Sequence, residues 1–122
     1  MGLPELHQQR FREFMGALEK LEPQANELVA FGASIQAEIA QLQKNFQEEI
    51  LTLSLEILPA ASAQQVQAFQ VEMNKQLRLL NMDSMFLQVA RQPTTIAQRQ
   101  HQIRDRLKIL IRYCALLLKD EA

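Results

Sequence analysis

One cysteine, three glycines and four prolines are all that this 122-residue chain holds of the residues that staple, turn or break a backbone. Cys114 stands alone, so no intrachain disulfide can form, which fits a reducing cytoplasm better than secretion. So few turn residues leave too little punctuation for a many-stranded fold. An excess of charge is missing as well: the net charge is −1, which gives no field to attract nucleic acid or an anionic membrane. No stretch reaches the ~18 apolar residues of a membrane span, and Met1 to His7 has neither the basic stretch nor the apolar run of a signal peptide. Leu6 stands where a myristoylation signal following Gly2 needs Ser or Thr, so no lipid anchor is expected.

The residues that are present favour helix. Hydrophobic residues make up 48% and charged ones 22%, too apolar for disorder. Gln, Glu, Leu, Ala and Arg lose little side-chain freedom in a helix. A chain of this length is expected to form one domain over residues 1–122 with a real core. Its halves differ in charge: residues 1–61 carry net −5 and residues 62–122 net +4. The expectation is acidic and basic helices side by side; the alternative is a basic surface for an acidic partner.

Apolar periodicity divides the chain into four helices. Phe11, Phe14, Leu18 and Leu21 form one stripe in a helix that starts near Pro4, and Pro23 must end or bend it. A second stripe runs through Leu28, Phe31, Ile35, Ile39, Leu42, Phe46 and Leu53, all within about 40° of one line. Leu51 to Ile57 alternates strictly and would read as a strand in isolation; it is expected to stay helical, because a lone strand has no partner unless two chains pair there. Pro59 breaks the chain, and Ser62 with Gln65 has capping-box spacing, predicting a third helix from about Ala63. Val66, Phe69, Met73, Leu77, Leu80 and Leu87 form its stripe, ending before Pro93. Thr95 and Gln98 repeat the cap pattern before a last helix with Ile96, Ile103, Leu107, Leu110, Cys114 and Leu117 on its face, widened by Ile111 and Leu118. Short links favour antiparallel neighbours, so the expected fold is all-α: an up-down-up-down four-helix bundle.

The equipment of catalysis is thin. Neither His7 nor His101 sits in a Glu-x-x-His pattern, the two lie on different helices, and Cys114 has no second cysteine beside it, so no metal site is expected. Cys114 lies on the apolar stripe, where burial favours an inert thiol over a nucleophile paired with His101. Gly16 and Gly32 are isolated; their expected role is to let helices approach closely, and no glycine-rich loop cradles a phosphate. The one enzyme alternative is a bundle of the chorismate mutase type, which draws arginines inward around a dicarboxylate. Here Arg99 and Arg106 share one face and Arg104, Lys108 and Arg112 another, and both are expected to be solvated flanks with no inward polar partner. No catalytic residue and no cofactor is expected.

Two features point instead to protein binding. The ladder of Arg104, Lys108 and Arg112 could receive an acidic segment of a partner, although pairing with Glu38, Glu48 or Glu49 of the second helix is the first expectation. Met82, Met85, Phe86 and Val89 form a second apolar stripe opposite the first on the third helix. Either that helix bends around Asn81 to Ser84 and buries both stripes, which is the first expectation, or the second stripe is a docking surface.

The stretch Asn74 to Pro93, with Asn81-Met82-Asp83-Ser84-Met85-Phe86 at its centre, resembles PatD, the cyanobacterial heterocyst-frequency control family. Arg99, Arg106-Leu107 and Tyr113-Cys114 are similar to that family's closing helix, and Leu3-Pro4-Glu5-Leu6-His7-Gln8-Gln9-Arg10-Phe11 to its start. The resemblance implies a small cytoplasmic regulator that binds the tubulin-like division protein FtsZ and affects its polymerisation, and through it cell division and heterocyst differentiation. It assigns no individual contact residues. A structural homodimer is the alternative, with the Met82 to Val89 stripe, and Leu51 to Ile57 as well, buried against a second copy.

Overall fold

Prolines set the joints of this bundle. The computed structural model describes residues 3–26 and 32–119. Helix α1 (Glu5–Leu21) starts one residue after Pro4, whose carbonyl accepts the Gln8 N–H at 3.0 Å, and gives way to a 3-10 turn at Pro23–Asn26. Helix α2 (Gly32–Asn45) runs on into a wider π-type turn at Phe46–Ile50. Helix α3 (Ala60–Val89) follows Pro59, and helix α4 (Pro93–Leu118) has Pro93 in its first turn. A proline there has no N–H to leave unsatisfied, and its fixed φ suits the helix.

Both capping-box expectations fail for this reason. Ser62 and Thr95 lie inside helices already begun at Ala60 and Pro93, and neither helix start has a side-chain cap. The prolines preset the first turn two or three residues before the polar signal.

The four helices pack as an all-α four-helix bundle. In cyclic order α1 lies against α2, α2 against α3, α3 against α4 and α4 against α1. Each stripe faces the common axis: Phe11 and Leu18, Ile39 and Phe46, Met73 and Leu77, and Ile103 and Leu107 are all fully buried. Burying such a side chain stabilises by roughly 1.5–3 kcal/mol. Leu28 and Phe31, placed on the second stripe, lie outside the described residues. Gly16 does not serve close approach, since a Cβ there would meet nothing within 4 Å.

Residues 51–57 form neither the expected helix nor a strand; they belong to an irregular crossing between the π turn and α3. Leu53 and Leu58 turn inward, whereas Leu51 and Ile57 are exposed, so the alternation does not define one buried face. Side chains hold this crossing and the π turn before it by their carbonyls. His7 Nε2 donates to Ser54 O at 2.7 Å, Gln70 Nε2 to Ile50 O at 3.0 Å, Arg10 Nη1 to Glu49 O at 2.9 Å and Thr52 Oγ1 to Glu48 O at 2.6 Å. A carbonyl only accepts, so His7 carries its proton on Nε2. The Ile50 carbonyl also accepts the Leu53 N–H at 3.2 Å, so the Gln70 bond is its second.

Candidate interaction surface

Helix α3 runs from Ala60 to Val89 without interruption, and the expected burial of its second stripe does not occur. Met82, Met85, Phe86 and Val89 instead face solvent, at 49%, 50%, 45% and 72% exposure. They are three, four or seven residues apart and so share one face. Behind them Asp83 and Ser84 take the inward positions. Ser84 Oγ donates to Asn81 O at 2.7 Å, which satisfies its hydroxyl within the helix.

Asp83 is the polar centre of the α3–α4 seam. Arg106 Nε donates to its Oδ2, Arg106 Nη1 donates to Gln76 Oε1 at 3.2 Å, and Arg99 Nη1 lies 3.6 Å from Oδ1. The Arg99 guanidinium also sits 4.7 Å from the centre of the Phe86 ring. Arg99 and Arg106 are therefore not the solvated flanks expected of them: an inward carboxylate pairs with both. Sequence periodicity missed Asp83, although it is the single acid between Met73 and Arg104.

The basic ladder lies elsewhere. Arg104 is half-buried and donates to His101 Nδ1 at 2.7 Å; Lys108 and Arg112 are exposed. Lys108 lines a surface depression with Glu19, Glu22 and Ile111, on the α1 side of α4. Arg99 and Lys108 are nine residues apart, about 180° around the helix, so the ladder and the apolar stripe do not form one surface. The expected partners of the ladder are engaged elsewhere: in the π turn Glu49 pairs with Arg10 at 2.6 Å and Glu48 with Lys44 at 3.9 Å, while Glu38 of α2 lines a depression with Lys20 of α1. The physical reason is the cyclic order, which sets α1 and α3, rather than α2, beside α4.

His101 and Cys114 do not meet. They are thirteen residues and about 20 Å apart along one helix. His101 is near Asp105 at 3.2 Å on the outside, while Cys114 is fully buried. Burial, with the Glu19 charge as a smaller contribution, pushes the Cys114 thiol from 9.0 up to about 12. A thiol that holds its proton more tightly when folded contributes stability that is complete below its unfolded pKa and is lost as pH rises from 9.0 towards about 12. The urea midpoint is expected to fall above about pH 9, and to fall less in Cys114→Ala; a thiol reagent at about pH 8 should label Cys114 only after unfolding.

Among the described residues no helix is long and apolar enough to cross a membrane. Comparison with protein-family models, curated proteins and solved structures gives no match. The class defined by fold and surface is thus a four-helix bundle with one apolar helix face turned to solvent.

Proposed function

We propose that this chain is a non-enzymatic regulatory protein that docks on another protein through the outer face of α3. The observation that carries the reading is the exposed stripe of Met82, Met85, Phe86 and Val89 on a helix whose opposite face is fully packed. A clustered apolar patch of this kind marks an interface, and methionines beside an aromatic ring adapt to a partner's shape. The partner we propose is FtsZ, with modulation of its filament assembly in the cytoplasm as the outcome. This choice rests on the likeness of residues 74–93 to the PatD family, and those residues include the whole stripe.

Co-sedimentation with GTP-assembled FtsZ tests the reading. The native chain is expected to pellet with filaments, and Phe86→Glu to weaken pelleting by about tenfold or more, since a central aromatic anchor contributes about 2 kcal/mol. Phe86 is half-exposed, so circular dichroism should show the variant folded. Failure of the native chain to pellet would remove FtsZ. A second reading, the homodimer, is favoured by Leu51 and Ile57, exposed at 44% and 64%. Light-scattering mass across dilution separates the two readings, because a dimer stable at every concentration would make the stripe a self-contact.

A further inference from the structure

The charges around the stripe say what it binds. Asp83, the single acid between Met73 and Arg104, is only 4% exposed and is engaged by Arg106. From Lys75 onward the charges left in solvent beside the stripe are positive: Lys75, Arg78 and Arg91 are exposed, and the nearest exposed acid on α3, Glu72, lies ten residues before Met82. Lys75 and Arg78 precede Met82 by seven and four residues, so they continue its face along α3.

The seam adds one more positive charge. Two guanidiniums face one carboxylate, and Arg106 makes the hydrogen bond, whereas the Arg99 contact is 3.6 Å. Arg99 is thus the cation in excess. Its side chain is 32% exposed, it lies against the Phe86 ring, and its Nη1 donates to Gln102 at 3.1 Å. A guanidinium fixed beside an apolar stripe and about one-third exposed presents a directional fork to a carboxylate.

We infer that the outer face of α3 receives an amphipathic helix whose apolar side is flanked by carboxylates, with Arg99 and Arg78 selecting the acidic flank. The inference rests on the docking reading above and names the chemistry of the partner. From Lys75 to Val89 the face is about 21 Å long, the length of a four-turn helix. An anionic lipid surface is the poorer match, because adsorption uses long mobile cations, whereas the arginine adjoining this stripe is tied to Asp83 and Gln102.

Two fluorescein-labelled helices of ~16 residues test it, identical in their Leu/Met stripe and differing only in Glu or Lys flanks. Anisotropy titration of the full chain should give about tenfold tighter binding to the Glu helix, weakening with salt. Arg99→Gln and, on the open surface, Arg78→Glu should each remove most of that preference while circular dichroism stays native. Equal affinity for the two helices, no binding by either up to ~1 mM, an unchanged preference in both variants, or capture by phosphatidylserine vesicles in place of either helix would overturn the inference. FtsZ pelleting without acid preference would sink the inference and leave the proposed function standing. Acid-selective binding without FtsZ pelleting would do the reverse.

Discussion

Phe46→Ala is expected to cost about 3–5 kcal/mol, the largest loss from any single truncation argued for this protein. Phe46 is fully buried and begins the π-type turn that ends α2. Its ring lies 5.7 Å from that of Phe14 at an interplanar angle of 49°, so one wedge joins α1 to the end of α2. Removing it leaves a cavity that the surrounding Leu and Ile side chains can fill only partly, and it also removes the aromatic pair. The Phe46 carbonyl accepts the Leu51 N–H at 2.9 Å, so a shift of this residue disturbs the wide turn as well. Against a total stability of about 5–15 kcal/mol, the loss should lower the melting temperature by about 10–20 °C. Chemical denaturation followed by circular dichroism measures it. A loss below about 1 kcal/mol would mean that the α1–α2 seam does not depend on this wedge.

Asp83→Ala should be nearly as costly by a different route. The substitution leaves Arg106 and Arg99 facing each other without the carboxylate between them. Breaking a buried pair by removing one member typically costs about 3–5 kcal/mol. Here both arginine side chains keep 24% and 32% exposure, so water relieves part of the penalty. About 2–3 kcal/mol is expected, at or below the lower limit of that range. The companion Asp83→Leu with Arg106→Met removes both sides of the pair and should lie within about 1 kcal/mol of the native chain, since an apolar substitute of similar volume avoids the desolvation cost. Urea titration of the two variants separates charge loss from packing loss. Equal destabilisation by both would assign the seam's stability to shape and remove the charge argument.

The four stripes were legible because helical burial repeats locally every three or four residues. Ile39, Met73, Leu107 and their neighbours are buried where the period places them. Helix starts were less legible: Ser62 and Thr95 carry the spacing of a cap, but Pro59 and Pro93 act first. The crossing after Ile50 defeated a local reading because its order comes from His7, Arg10 and Gln70, side chains of other elements. The Asp83 cluster lay out of reach for a related reason, its partners being sixteen and twenty-three residues away across a helix seam. Periodicity also shows which residues flank a stripe without showing which neighbour each flank will meet. Arg104 and Lys108 could equally have faced α3, and only the direction in which the helices follow one another around the bundle put Lys108 beside Glu19 and Glu22.

The crossing between α2 and α3 has one further consequence for how the molecule opens. Its Ser54 and Glu49 carbonyls are held by α1 through His7 and Arg10, whereas α3 and α4 are joined by a three-residue link and their own ion cluster. Detaching α1 would therefore free the Ser54 and Glu49 carbonyls, while Gln70 of α3 keeps its hold on Ile50 O and the α3–α4 hairpin keeps its cation beside Phe86. The face that carries Phe86 thus belongs to a hairpin with its own ion cluster, while the order of the segment before α3 is shared between side chains of α1 and α3.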